Sequence, residues 1–119
     1  MTNPAARFRT LARALPGTEE RDHLGSPSFR VASKIYAQLA NGESAGLVKM
    51  ALDAQAARVG AEPRRFWLPA HWSRYGWTYV RLGDTAAAEM GELLEVSWSL
   101  IAPKRMVRAF RAAACAPGK

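Results

Sequence analysis

The first fifteen residues have the hydrophobic spacing of an amphipathic helix. Apolar side chains recur at intervals of three and four residues, which predicts one buried stripe: Phe8, Leu11, Ala12 and Leu15. Arg9 and Arg13 fall on the opposite side. Asn3 suits the N-cap and Pro4 the first helical position, and the Pro-Gly pair at 16–17 ends the helix.

Between Glu19 and Met50 the hydrophobic period changes to alternation, which predicts β-strands. Phe29 and Val31 alternate with Arg30 and a small residue. In the next strand the predicted inward positions are Ile35, Ala37 and Leu39. The Asn-Gly pair at 41–42 is typical of a two-residue type I′ hairpin turn, because both turn positions need positive φ. The returning strand is predicted over residues 44–50.

The rest of the chain predicts a short helix, two strands and a long helix. The short helix begins with Asp53 as its cap and ends at Gly60. Strands are predicted at Phe66–Pro69 and Trp77–Leu82.

Asp84 or Thr85 is predicted to cap the long helix. Its predicted inner face consists of Met90, Leu93, Leu94, Ser97 and Ile101. Its predicted water-facing acids are Glu89, Glu92 and Glu95. Pro103 should end or restart the helix. Beyond it, one side is predicted to be apolar, with Met106, Val107 and Phe110.

These elements predict an α+β fold in which an antiparallel sheet packs, in two layers, against N- and C-terminal helices. A length of 119 residues suits a single domain spanning 1–119, with residues 112–119 as a frayed tail. The side chains predicted to be buried are Phe8, Leu11, Leu15, Ile35, Leu39, Leu47, Trp77, Leu93 and Leu94.

The net charge of +7 is concentrated at the two ends of the chain. Residues 1–15 contain three arginines and no acid, and residues 103–119 contain five further basic residues and no acid. The middle therefore has nine basic and ten acidic side chains, a balance of −1. If the terminal helices pack side by side, their bases merge into one positive patch suited to phosphates.

Several classes of protein are disfavoured by the sequence. No apolar run reaches the length of a membrane span, and arginines interrupt the N-terminal apolar pattern where a signal peptide would have its core. Cys115 is the only cysteine and is interpreted as an inert tail thiol. We expect no cofactor, no metal and no membrane partner, and a location in the reduced cytoplasm.

The segment RRFWLPAHWSRYGWTYVRL, residues 64–82, interleaves aromatic and cationic side chains. Such a mixture suits a nucleic-acid surface, because arginines bind phosphates and flat rings stack on bases. The competing interpretation places four of the rings in the core, namely Phe66, Trp67, Trp77 and Tyr79, and for these four it is the favoured one. Trp72, Arg74 and Tyr75, on the predicted loop, are equally compatible with packing and with binding.

The histidines do not predict catalysis. His71 has no acid at a motif spacing, and His23 beside Asp22 is an isolated pair on a predicted strand. The two histidines without a cysteine cluster make a poor metal site. We therefore expect a protein that is not an enzyme.

The sequence resembles the MmcQ/YjbR family over residues 7–110. The resemblance rests on LPGTEERDHLGSPSFRVASKIYAQL, LVKM, LPAHWSRYGWTYVRL and SLIAPKRM. It implies a fold related to CyaY-like and secretion-chaperone-like shapes, and DNA binding through a double-wing arrangement of hairpins. The recurring motif positions of the family fall on Lys49, Pro69, His71, Trp72 and Lys104.

The leading hypothesis is a non-catalytic module that binds DNA or another nucleic acid through its basic terminal helices and the aromatic, arginine-rich loop. The alternatives are a protein-interaction or chaperone-like module, and a small-ligand binder or unrecognised enzyme centred on His71, Trp72 and Tyr75. The candidate nucleic-acid-binding residues are Arg9, Arg13, Lys49, Arg64, Arg65, His71, Trp72, Arg74, Tyr75, Lys104, Arg105, Arg108 and Arg111.

Overall fold

The computed structural model describes residues 3–115 and shows four helices and a six-stranded antiparallel sheet. The helices are α1 (Pro4–Arg13), α2 (Leu52–Ala61), α3 (Ala87–Ile101) and α4 (Lys104–Cys115). The strands are β1 (Glu19–His23), β2 (Ser26–Val31), β3 (Lys34–Ala40), β4 (Ala45–Lys49), β5 (Phe66–Trp67) and β6 (Trp77–Arg81). They lie in the order β1-β2-β3-β4-β6-β5. The predicted α+β fold with an antiparallel sheet is confirmed.

Helix α1 begins as the sequence predicts. The Asn3 side-chain oxygen accepts a hydrogen bond from the Ala5 amide at 2.8 Å, which satisfies one of the free amides of the first turn. Phe8 and Ala12 are fully buried, and the Phe8 ring meets Phe29 of the sheet edge-to-face at 5.8 Å. The stripe therefore attaches α1 to the sheet.

A bulge in β3 changes which side chains of that strand face the helices. Phe29 pairs with Ala37 and Arg30 pairs with Ile35, so Tyr36 is an extra residue in the ladder. Tyr36 is fully buried, whereas Ile35, predicted to be buried, is half-exposed on the other face. The prediction was wrong at Ile35 because strict alternation does not hold across a bulge.

The bulge places the buried Tyr36 hydroxyl beside hydrogen-bond partners at the end of α1. The hydroxyl donates to the Ala12 carbonyl at 2.9 Å and lies 2.9 Å from the Thr18 hydroxyl. Burial raises the pKa of Tyr36 to about 12. The ring thus joins β3 to the end of α1.

Helix α3 crosses the covered face of the sheet with Met90, Leu94, Ser97 and Trp98 fully buried. The Ser97 hydroxyl donates to the Tyr36 carbonyl and accepts from the Lys49 amide, which connects α3 to β3 and β4. The predicted caps Asp84 and Thr85 were wrong, since the N-cap is Ala86 without a side-chain bond. The Thr85 hydroxyl instead donates to the Arg81 carbonyl.

Two other local predictions need correction. Asn41 and Gly42 have the positive φ expected of them, but β3 and β4 close at the Ala40–Ala45 pair, which leaves four residues in the connection rather than two. Helix α2 starts after Ala51, not at Asp53, and continues past Gly60.

Helix α4 restarts after Pro103 as predicted and packs through its apolar side. Val107 is buried, and the Phe110 ring meets Trp98 edge-to-face at 5.1 Å. The helix extends to Cys115, so residues 112–115 are helical rather than frayed. The rest of the predicted tail, residues 116–119, and the Cys115 side chain lie outside the described part of the chain.

The predicted core was right at five positions: Phe8, Leu15, Leu39, Leu93 and Leu94. Four others are only partly buried: Leu11, Ile35, Leu47 and Trp77. Three of these four, Ile35, Leu47 and Trp77, lie on strands at positions that face away from the helices.

Candidate nucleic-acid interface

The helices cover one face of the sheet and, in the part of the chain that the structure describes, leave the other open. On the covered face the ladder Ala37–Val48–Thr78 is completely buried. The neighbouring ladder Gln38–Leu47–Tyr79–Trp67 points the other way and is half-exposed. We define the open face by Arg30, Ile35, Gln38, Leu47, Lys49, Trp67, Trp77, Tyr79 and Arg81.

Strand alternation explains why aromatic and basic residues share this face. In β6, Trp77, Tyr79 and Arg81 point to the open side, while Thr78 and Val80 point to the core. The core interpretation of the aromatic residues is therefore confirmed for Phe66, which is fully buried, and wrong for Trp67, Trp77 and Tyr79. The spacing W-T-Y-V-R already contained this information.

The rings of the open face are partly stacked on one another. Trp67 and Tyr79 lie 5.5 Å apart at an interplanar angle of 28°. The Arg81 guanidinium lies 5.6 Å from the centre of the Trp67 ring and donates from Nε to the Arg64 carbonyl at 3.0 Å. These contacts hold the rings in fixed positions.

The segment between β5 and β6, which we call loop 68–76, brings Trp72 to the rim of the open face. A short 3-10 helix, Ser73–Tyr75, follows Trp72, and the Tyr75 amide donates to the Trp72 carbonyl at 3.0 Å. Trp72 and Tyr75 are exposed, with ring centres 6.1 Å apart, and the Arg74 guanidinium lies 5.0 Å over the Tyr75 ring.

Helix α2 fixes this loop from beneath. The buried Gln55 amide nitrogen donates to the carbonyls of Ser73 and Trp77 at 3.0 and 2.9 Å. Gly76 has φ of 96°, and a Cβ there would lie 2.1 Å from the Met50 carbonyl oxygen. Only glycine fits this position, so the loop has little freedom at its C-terminal end.

Two cavities border the loop. One, of about 160 Å³, is lined by Ile35, Gln38, Leu47, Trp72 and Trp77. The other, of about 390 Å³, is formed by residues 70–75, including His71, and both cavities are open to solvent. A closed polar pocket, as a small-ligand site would require, is not found at His71.

The acids of the sheet are confined to its far edge. Strands β2–β6 contain no Asp or Glu, and the sheet's carboxylates are Glu19, Glu20 and Asp22 of β1. Because β1 and β5 form opposite edges, these acids lie away from Arg64, Arg65 and the loop. The acids of β1 are therefore separated from Arg64, Arg65 and the loop, but Glu19 lies on the open face, where it pairs in register with Arg30.

The two arginines predicted on α1 are engaged with these acids. Arg9 Nε lies 3.3 Å from a Glu20 oxygen, and Arg13 Nε lies 3.6 Å from the other. Arg9 also lies 3.6 Å from Glu43. These pairs reduce the positive potential of α1, so α1 is a weaker phosphate site than its sequence suggests.

Arg65 belongs to a largely buried network of ion pairs near β5 rather than to a binding surface. Its side chain is 14% exposed and contacts Glu62 and Glu89 at 2.8 Å each, while Arg58 contacts Glu89 at 2.8 Å. These hydrogen bonds raise the pKa of Arg65 and lower the pKa of both Glu62 and Glu89. Glu89 was predicted to face water, and this was wrong because two arginines from α2 and the β5 side reach it.

The C-terminal bases remain exposed on α4. Lys104, Arg105, Arg108 and Arg111 form a basic stripe opposite Val107, and no ion pair engages them within residues 3–115. Arg64 is exposed beside β5, and its carbonyl accepts from Arg81. Lys49 is half-exposed on the open face, paired in register with Trp77.

Two further tests of the described residues concern metals and membranes. No group of three or more His, Cys, Asp or Glu side chains there could hold a metal ion. No helix in residues 3–115 is both long enough and apolar enough to cross a membrane.

The fold and this surface define a small α+β protein with one helix-covered and one open sheet face. The chain belongs to the YjbR family, whose model matches residues 13–100. It is similar in structure to the crystal structure of Deinococcus radiodurans protein DR2400, family-model domain DUF419. That similarity has a TM-score of 0.73, covers 98% of this chain and 94% of that chain, and has 23% sequence identity, so it supports the fold alone. No curated protein matches the sequence.

Proposed function

We propose that this protein is a non-catalytic nucleic-acid-binding module whose contact surface is the open face together with loop 68–76. The observation that carries the proposal is a sheet face with aromatic rings and cations but without carboxylates on β2–β6. We therefore propose the sheet and the loop as the contact surface, whereas the sequence pattern favoured the basic terminal helices together with the aromatic, arginine-rich loop.

The cations of this surface suit phosphate binding. Arg30, Lys49 and Arg81 lie on the open face, and Arg74 extends from the loop. On β2–β6 no acid competes for them, but Glu19 of β1 pairs in register with Arg30 on the same face, and Arg81 has a long contact of 3.7 Å to Asp84. Neutralising phosphates with such side chains releases counterions, which supports binding at low salt.

The rings suit the stacking of bases. Every base has a π-face, so exposed aromatic side chains bind single strands with little dependence on sequence. Trp67, Tyr79 and Trp77 lie on a sheet whose strands are about 4.8 Å apart. Trp72 and Tyr75 add two exposed rings at one end of this row.

The exposed stripe of α4 offers a second, purely electrostatic contact. Within residues 3–115 no cation–π contact involves Lys104, Arg105 or Arg108, so we expect them to contribute through phosphates alone. They do not distinguish one nucleic acid from another.

A second candidate function is protein interaction through a groove between α2 and α3. This groove of about 350 Å³ has an apolar floor of Met50, Ala54, Leu93 and Val96. Its rim carries Arg58, Glu92 and Glu95, and such a mixture of charges matches a peptide better than a polyanion.

The proposal is tested by fluorescence anisotropy with single-stranded and duplex oligonucleotides at low and moderate salt. The double variant Lys49→Glu, Arg74→Glu reverses two charges at the proposed surface, and Arg105→Glu, Arg108→Glu makes the same charge change on α4. We expect the first variant to lose roughly ten-fold or more in affinity for single strands. Its salt dependence should fall by about 0.7 per lost phosphate contact.

The control variant should lose less affinity than the surface variant at every salt concentration. If the two variants lose equally, binding is a matter of net charge or of α4, and the open face is not the contact surface. If the wild type does not bind at low salt, nucleic-acid binding is wrong and the α2–α3 groove becomes the leading site.

A further inference from the structure

The smaller cavity at the rim of the open face has the dimensions and lining of a site for one flat ring. Its volume is about 160 Å³, below the roughly 300–1,000 Å³ of pockets that enclose drug-sized ligands. Ile35 and Leu47 form an apolar floor, and Trp72 and Trp77 supply two indole rings. These dimensions match a single planar base better than a larger ligand.

The backbone of Trp72 has an unusual conformation. Six non-glycine residues between 3 and 115 have positive φ, and five of them lie in the short connections of β1–β2, β2–β3 and β3–β4. The sixth is Trp72, with φ of 73° and ψ of −4°. A bulky residue in this region is strained by about 1–3 kcal/mol.

Burial does not offset this strain, because the Trp72 side chain is 65% exposed. The conformation is maintained by the surrounding hydrogen bonds of loop 68–76, among them those from Gln55 to the Ser73 and Trp77 carbonyls. Strained residues that surrounding structure holds in this way cluster at binding sites. The ring is thus presented to solvent beside the cavity.

Gln38 is the polar side chain of the cavity lining. It lies between Ile35 and Leu47 on the open face, and within residues 3–115 its amide makes no side-chain hydrogen bond. A carboxamide offers two donors and one acceptor oxygen, which match the neighbouring donor and acceptor groups on the edge of a base. It therefore has free hydrogen-bonding capacity where the edge of a bound ring would lie.

We propose that this cavity binds one unpaired base of a single-stranded nucleic acid, stacked on Trp72 and Trp77, with the Gln38 amide hydrogen-bonded to its edge. This inference rests on the proposed function and specifies its substrate as a single strand. A paired base must first leave its stack at a cost of a few kcal/mol, so duplex is the weaker ligand. Lys49, opposite Trp77 in the register, is placed for the adjacent phosphate.

The test is an anisotropy titration of fluorescein-labelled homopolymeric deoxyoligonucleotides, together with duplex of the same length, against the wild type, Trp72→Ala and Gln38→Leu. Trp72→Ala should lose roughly five- to hundred-fold in single-strand affinity, the range for one stacked base, and little in duplex affinity. Leu100→Ala removes an exposed apolar side chain of α3, outside the proposed contact surface, and is the matched control with unchanged affinity. Thermal melts confirm that each variant is folded.

Gln38→Leu should bind all homopolymers with similar affinity, whereas the wild type should prefer one. Unchanged single-strand binding by Trp72→Ala would overturn the base site, and an unchanged preference in Gln38→Leu would overturn the role of Gln38. In either case the proposed function stands if Lys49→Glu, Arg74→Glu still loses affinity. If no oligonucleotide binds the wild type, both proposals are wrong.

Discussion

Trp72 has a strained backbone conformation that lowers the stability of the protein and directs its ring toward solvent. Its left-handed conformation is unfavourable for any residue with a Cβ, and tryptophan gains little by burial there. Gly76, four positions later, adopts positive φ at no such cost. The loop therefore requires glycine at position 76. At position 72 it accommodates a tryptophan because neighbouring hydrogen bonds maintain the strained backbone.

We predict that Trp72→Gly is more stable than Trp72→Ala by about 1 kcal/mol, because alanine keeps the left-handed strain and glycine removes it. Both variants lack the ring, so they should be equally weak in single-strand binding. Chemical denaturation measures the stability difference, and anisotropy measures the binding. A Trp72→Ala variant as stable as Trp72→Gly would show that position 72 is not strained in solution.

At the scale of elements, loop 68–76 depends on a helix that is distant in sequence. Gln55 of α2 donates to the Ser73 carbonyl of the loop and to the Trp77 carbonyl at the start of β6, and contacts the Thr78 hydroxyl at 3.2 Å. The loop contains few buried apolar side chains of its own. Its shape is therefore maintained by its own turn hydrogen bonds, by the Gln55 amide and by the Met50 amide, which donates to the Gly76 carbonyl at 3.0 Å.

We predict that Gln55→Leu lowers the free energy of unfolding by about 1–3 kcal/mol, because it leaves the Ser73 and Trp77 carbonyls without a donor. It should also weaken single-strand binding, since Trp72 loses its fixed position. Amide hydrogen exchange at Tyr75 and Gly76 should accelerate relative to the rest of the protein. Asp53→Ala, at an exposed position on the same helix, is the control and should change neither exchange nor binding. Unaltered exchange in Gln55→Leu would contradict the anchoring role.

The order and type of most helices and strands followed from hydrophobic spacing. The cap at Asn3 and the restart after Pro103 followed from the chemistry of those two residues. Hydrophobic spacing did not predict which face of the sheet Ile35 occupies, because a bulge that inserts one residue reverses the alternation beyond it. The side-chain direction of Trp77 and Tyr79 was contained in the alternation of β6. These two side chains were nevertheless assigned to the core, because tryptophan is usually buried. In the structure, Trp98 and Tyr36 fill the covered side of the sheet instead.

For the whole molecule, the ion network around Glu89 connects elements far apart in the chain. Arg58 of α2 and Arg65 before β5 both contact Glu89 of α3 at 2.8 Å. Both guanidinium groups also lie over the Phe66 ring, at 5.1 and 4.7 Å. The network closes the end of the molecule opposite β1.

We predict that Glu89→Gln lowers the free energy of unfolding at neutral pH by about 1–2 kcal/mol, allowing for partial exposure of the network. The pKa of Glu89 is lowered from 4.5 in the folded state, so its contribution is present above that pH and is lost as pH falls through the lowered pKa. The difference between wild type and Glu89→Gln should therefore shrink on acidification. Denaturation at several pH values measures this, with the exposed Glu92→Gln as control. A difference independent of pH would exclude the carboxylate as its cause.

The distribution of charge over the whole molecule could be read from the sequence only in part. The sequence shows that the excess of bases lies at the two ends. That Glu20 pairs with Arg9 and Arg13, and that β1 forms the edge farthest from β5, depends on strand order. Strand order follows from contacts between residues far apart in sequence, which local patterns do not specify.

A sheet with one uncovered, partly apolar face and two free edges would ordinarily invite other copies of the chain to add strands to it. The two edges of this sheet discourage such growth by different means. Strand β1 reads Glu-Glu-Arg-Asp-His, so an incoming strand would have to pack against an edge lined entirely by charged and polar side chains. Strand β5 has two residues, too few to template a neighbour. The chain can thus keep tryptophans exposed in a crowded solution without forming fibres.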